Sequence, residues 1–158
     1  MSRALSYVLG IEHTELDSLY HLPDWKERPQ DELAEMVREI VANETWIVDG
    51  NYGAVLNECL VSADTVVWLD YSFLTVFLQL LARTVRRSWK REELWHGNRE
   101  TFSKSFFSRD SILWWMITTH ARRRRQCNEL ERQLANSSIC FLRFKNPRQA
   151  DEWLRQLK

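Results

Sequence analysis

The sequence predicts an α/β fold, a parallel sheet with helices on both faces. Three observations carry this reading. Amphipathic helical spacing alternates with short apolar runs along the chain, and such alternation is what crossover connections between parallel strands require. The runs at 45–49 ("TWIVD") and 64–70 ("DTVVWLD") are continuous, aromatic and β-branched, the pattern of strands covered on both faces. Finally, 158 residues with 12% aromatics suffice for one packed domain around a single core.

The elements follow in order. Leu5, Val8 and Leu9 form a helical stripe that stops at Gly10, a residue suited to a C-cap. Residues 11–17 ("IEHTELD") read as a short strand, and 18–29, with two prolines, as a loop. From Gln30 to Asn43 the apolar residues Leu33, Met36, Val37, Ile40 and Val41 recur at helical intervals behind acids that favour a helix N-terminus. The strand at 45–49, a short helix at 54–62 and the strand at 64–70 come next. Phe73, Val76, Phe77, Leu80 and Leu81 mark one face of a helix running to Arg87 or Trp89. The polar stretch at about 90–110 lacks a period and reads as a lobe or lid. A long helix at 111–135, a strand at 138–144 and a helix at 147–157 with Pro147 in its first turn complete the order.

The zero net charge hides a segregation: residues 1–70 carry 4 Lys/Arg against 14 Asp/Glu, and residues 71–158 carry 18 against 8. Such halves suit a cleft with one acidic and one cationic wall for an anionic ligand. Cys59, Cys127 and Cys140 are odd in number and widely spaced, so neither a disulfide framework nor a zinc site is expected. The four histidines show no metal-ligand pairing either. The longest apolar stretch, 71–82, is too short and too interrupted to span a bilayer, and the N-terminus lacks the apolar core of a signal peptide. A cytoplasmic location without membrane contact is expected.

In parallel sheets, ligands sit at the carboxyl ends of the strands. Asp17, Asp49 and Asp70 are all expected there, with the acidic turn "DGNYG" (49–53) at the mouth of the crevice. Asp, Gly and Asn are also ordinary turn residues.

The order "ELDSLYHLPDW", "WIVDGNY", "TVVWLDY", an arginine-bearing helix, a lid, an Arg-rich helix and "RFKNPRQADEWL" resembles the small P-loop kinases, specifically the adenylate-kinase-like group often labelled DNA topology modulation proteins. The resemblance spans nearly the whole chain. Its most specific element, "WIVDGNY", is similar to the Asp-Gly-Phe-Pro-Arg segment of adenylate kinases, and "TVVWLD" resembles a Walker B strand. The ATP-binding loop G-x-x-x-x-G-K-[ST] occurs nowhere in the 158 residues. The resemblance therefore implies that the sequence begins just after that loop, with a central first strand and loop of about 15 residues missing. That strand would lie between those at 45–49 and 65–70 in the family's order 2-3-1-4-5. It also implies a fragment or mis-assigned start, and a chain inactive as given.

Roles follow from the resemblance. Asp17 would orient or deprotonate the acceptor hydroxyl, and Asp49 would hold Mg²⁺ through water, with Asp70 a second acid near the metal. Asn51 and Tyr52 would line the acceptor pocket. Arg83 would contact the transferred phosphate, with Arg87 beside it; of the four arginines at 122–125, helix phase puts Arg122 and Arg125 on one face with Thr118 or Thr119, so these two are expected to face the substrate. A guanidinium suits this work because it grips two oxygens and stays charged. Lys145, Asn146 and Pro147 would pack on the adenine of ATP, although a plain strand-to-helix turn looks the same. The expected partners are a nucleotide and a small-molecule phosphate acceptor.

A second reading makes the chain a non-catalytic module that binds nucleotide, polyanion or nucleic acid through "ARRRRQ" (121–126). The neutral total opposes it, and so does the expectation that Trp46, Trp68, Trp114 and Trp115 are taken up by core or strand packing.

Overall fold

The computed structural model describes residues 1–90, 93–98 and 112–157. Among them the chain is α/β, with seven α-helices and four short strands. In chain order these are α1 (Ser2–Leu9), β1 (His13–Glu15), α2 (Leu16–Tyr20), α3 (Gln30–Val41), β2 (Ile47–Asp49), α4 (Leu56–Leu60), β3 (Thr65–Leu69), α5 (Phe73–Lys90), α6 (Ile112–Leu134), β4 (Cys140–Phe144) and α7 (Pro147–Gln156). Two 3₁₀ turns lie at Pro23–Trp25 and Trp95–Gly97. The element types agree with the sequence reading over most of the chain. The expected lid at 90–110 falls largely outside the described residues.

The strand pairs are the two that the order 2-3-1-4-5 leaves when its first strand is missing. β1 pairs with β2 in one two-stranded parallel sheet and β3 with β4 in another. The registers are His13 to Ile47 through Glu15 to Asp49, and Thr65 to Cys140 through Leu69 to Phe144. Among the described residues each strand has one neighbour in its sheet, and the burial on both faces that their composition predicts is only partial. No residue of β1 to β4 is fully buried. The residues group into two compact units, one comprising 1–64, 95–97 and 150–158, the other 65–94 and 98–149.

In the first unit the core is carried by helices and a turn. Leu16, Leu33, Val37 and Val55 are buried together, with Val48 and Tyr52 packed against them. α1 ends as its sequence dictates: Gly10 takes the left-handed conformation, φ 69°, and its N–H reaches Ser6 O at 2.8 Å. α3 begins with Asp31 and Glu32 in its first turn, where carboxylates favour the helix dipole. Its end is closed by Asn43 Nδ2, which donates to Ile40 O at 2.9 Å.

The segment after β1 corrects the expected strand 11–17 and loop 18–29. The strand stops at Glu15, and α2 starts at once, with Asp17 in its first turn. Ser18 Oγ donates to Glu15 O at 2.6 Å, closing that turn locally. Polar turn chemistry outweighs the β-like run because only three residues pair with β2.

In the second unit Leu113, Met116 and Thr119 of α6 are buried, as are Thr84 of α5, Asp70 and Tyr71. Phe73 and His120 meet edge to face at 5.5 Å. Trp114 and Trp115 break the expectation of core packing: they are 53% and 46% exposed. The core face of α6 runs through Leu113, Met116 and Thr119, and at 100° per residue both tryptophans fall outside it. No helix among the described residues is long and apolar enough to cross a membrane.

Candidate functional site

Parallel pairing brings the carboxyl ends of β1 and β2 to one edge. There Glu15 stands in register with Asp49, and α2 turns Asp17 onto the same region. The link is direct: Tyr52 Oη donates to Asp17 Oδ1 at 2.6 Å. Burial, reinforced by the Asp17 carboxylate, pushes the Tyr52 hydroxyl well above the usual tyrosine range. It therefore stays protonated and acts as a fixed donor.

Gly50 makes the turn possible. Its φ of 133° is one that L side chains rarely adopt, and a Cβ there would lie 2.8 Å from Leu16 Cβ. The scarce glycine in the acidic turn is thus needed for both conformation and space.

Asp49 has a side chain 45% exposed, with Oδ2 3.2 Å from Nε2 of His13, whose side chain is 7% exposed. That approach has ion-pair distance but not hydrogen-bond geometry, since His13 Nε2 makes no hydrogen bond.

An aromatic group borders this region. Tyr20 and Tyr52 have ring centroids 4.8 Å apart, and His21 packs against Tyr20, Trp25 and Trp95. Trp95 Nε1 donates to Glu15 Oε2 at 3.1 Å, while Arg3 Nε donates to Glu15 Oε1 at 2.9 Å. Burial opposes ionisation of Glu15, but the Arg3 guanidinium and the indole N–H outweigh it and hold the carboxyl below its ordinary range. Arg3, His13, Glu15 and Trp95 help line an open cavity of about 440 Å³.

In the second unit Asp70, its side chain 2% exposed, is gripped by two arginines. Arg143 donates to Oδ2 from Nη2 at 2.6 Å and from Nε at 3.0 Å. Arg124 Nε lies 2.8 Å from Oδ1. Arg143 also donates to Glu131 at 2.7 Å and lies 4.2 Å from the centre of the Trp68 ring. Burial opposes ionisation of Asp70, yet the hydrogen bonds from Arg143 and Arg124 bring its carboxyl below the ordinary aspartate range. The same bond raises Arg143. Both Asp70 oxygens are engaged by guanidinium groups, so this acid serves as an ion-pair anchor.

The structure thus brings Asp17, Asp49 and Tyr52 together, with Asn51 exposed in the turn between the last two. Arg83, Arg87, Arg122, Arg125, Asp70 and Lys145 to Pro147 lie in the other unit. Arg122 and Arg125 are exposed on α6, and it is Arg124 that reaches Asp70. Asn146 caps α7: its Oδ1 accepts from Gln149 N–H at 3.1 Å, and Gln149 Oε1 accepts from Lys145 N–H at 2.8 Å. Sequence reasoning missed Arg143, although an arginine inside the apolar run "CFLRF" was a signal that a buried acid waits beside it. Trp95 and Arg3 carried no such signal. Among the described residues, no three His, Cys, Asp or Glu side chains form a metal-binding group. No known protein-family model, curated protein or solved structure matches this chain.

Proposed function

We propose that the chain carries the acceptor side of an adenylate-kinase-like phosphotransferase and binds a nucleotide or a small hydroxyl-bearing acceptor at the carboxyl edge of β1 and β2. The observation that supports this best is the Tyr52 to Asp17 hydrogen bond of 2.6 Å at that edge, with Asp49 on the neighbouring strand. A carboxylate held in one orientation by a permanently protonated tyrosine is prepared to accept the proton of an acceptor hydroxyl. Asn51 in the same turn offers an amide to the acceptor.

The half-exposed Asp49 carboxylate fits Mg²⁺, which takes one or two carboxylates and keeps several waters. Bound there, the ion would supply charge neutralisation for a phosphoryl group. The residues present do not fit ATP in the same way. The sequence holds no G-x-x-x-x-G-K-[ST] cradle, and at 145–147 the Lys145 amide and the Asn146 side chain are committed to capping α7. The 158 residues alone are therefore expected to turn over ATP negligibly, because phosphoryl transfer depends on positioning and charge neutralisation.

The test is thermal melting with the four common nucleoside monophosphates and their nucleosides, with and without Mg²⁺. Ligand at about 100 times its Kd contributes about 2.7 kcal/mol, or a Tm rise of about 5–10 °C for a chain of this size. The rise should vanish in Asp17→Asn. If no probe moves the Tm at millimolar concentration, or if the purified chain hydrolyses ATP briskly, the proposal fails.

A further inference from the structure

We propose that the exposed faces of α5 and α6 bind single-stranded nucleic acid, with Trp114, Trp115 and Trp89 stacking on bases and the neighbouring cations holding phosphates. The inference is independent of phosphotransfer and rests on what these two helices expose.

On α6, Trp114, Thr118, Arg122 and Arg125 are all exposed and follow at intervals of four, four and three residues. That spacing places them along one side of the helix over about 16 Å. Trp115, 46% exposed, lies beside this stripe, with the Arg123 guanidinium 5.5 Å from its ring centre. The combination recurs on α5. Trp89, at 86% the most exposed tryptophan among the described residues, stands one turn from Arg86 and next to Lys90, both exposed. The two helices together hold nine Arg/Lys against two Glu. Exposed aromatics interleaved with cations are the working surface of single-strand binders, because every base offers a face to stack and every nucleotide a phosphate.

Two competing polyanions fit less well. In a duplex the bases are stacked on one another, so the indoles would find no free face. A bilayer accepts an apolar face bordered by cations, whereas the α6 stripe places Thr118 and two arginines in line with Trp114 and would draw guanidinium groups towards hydrocarbon. The tryptophans also answer the objection that their bulk is spent in the core.

The experiment is fluorescence anisotropy of labelled oligo-dT with the full 158-residue chain, repeated with labelled duplex, heparin and vesicles of phosphatidylserine and phosphatidylcholine. Oligo-dT should bind in preference to all three, with log K falling against log salt by about 0.7 for each phosphate neutralised. Trp114→Ala with Trp115→Ala should weaken oligo-dT binding on the order of tenfold or more and leave heparin binding unchanged. Arg122→Ala with Arg125→Ala should weaken both and reduce the salt slope by about 1.4. Unchanged circular dichroism would show that the variants fold. Trp114→Phe with Trp115→Phe, which keeps stacking faces, should restore most of the affinity should the alanine pair prove unstable. The proposal is overturned if oligo-dT does not bind, if the tryptophan variants bind it as the parent does, or if heparin, duplex or vesicles are preferred.

Discussion

Replacing Asp70 by alanine tests the energetics of the second unit. The carboxylate is almost fully buried and takes two hydrogen bonds from Arg143, at 2.6 and 3.0 Å, and one from Arg124 at 3.2 Å, with Arg124 Nε a further ion-pair contact at 2.8 Å. Removing it strands Arg143, itself only 24% exposed, with Glu131 as its remaining acid. Breaking a buried pair by deleting one partner costs about 3–5 kcal/mol. Arg124 is half exposed and adds little, because water screens it. Against a total stability of about 5–15 kcal/mol, a Tm drop of about 6–20 °C is expected. The assay is urea and thermal unfolding of Asp70→Ala, Arg143→Ala and the double variant. The single losses should not add, since the second truncation removes a charge already stranded. The pH dependence has a definite sign. The Asp70 carboxyl is depressed in the folded state, so its stabilisation is complete above the unfolded value of about 3.9 and is lost as pH falls through the folded value. Asp70→Asn should erase that acid-side decline while lowering stability at neutral pH. A cost below about 1 kcal/mol, or strict additivity with Arg143→Ala, would refute the reasoning.

Three further outcomes follow from local geometry. Gly50→Ala must place a methyl group against Leu16 at a φ of 133°, and backbone strain alone costs about 1–3 kcal/mol; a melting curve within 1 °C of the parent would contradict this. Tyr52→Phe removes the donor to Asp17 and should cost about 1 kcal/mol while weakening binding of the nucleotide probes, read from melts with and without them. Asn146→Ala deletes the α7 cap and should cost about 0.5–2 kcal/mol. Asn146→Asp should retain most of that stability, so equal losses in the two variants would argue against capping.

Local signals survived the passage from sequence to structure, and the strand pairs are those that the order 2-3-1-4-5 leaves without its first strand, although composition alone named no neighbours. Gly10, the acids opening α3 and Pro147 at the start of α7 encode helix boundaries through short-range chemistry, and each boundary stands within a few residues of its expected place. The strands at 45–49 and 64–70 were legible from their apolar composition, but composition speaks of burial available and not of neighbours present. Each strand pairs on one edge and remains part-exposed. Asp17 and Tyr52 were named from a motif, and their bond depends on α2 beginning immediately after β1, a boundary set by Ser18 and invisible to a period-two reading. "ARRRRQ" showed that arginines were plentiful without showing which one turns inward. The choice of Arg124 follows from helix phase and from an arginine in β4 that sits beside Trp68 in register.

The contact between Gly50 and Leu16 couples two things that would otherwise vary separately. Leu16 immediately precedes Asp17, and Gly50 immediately follows Asp49, so a nonpolar touch between a backbone and an aliphatic side chain acts as the spacer that gauges the gap between the two acids. Such a spacer carries no charge and does not titrate. Trimming Leu16 to valine would retune that gap while leaving every charged residue in place, a mechanical handle on an electrostatic site.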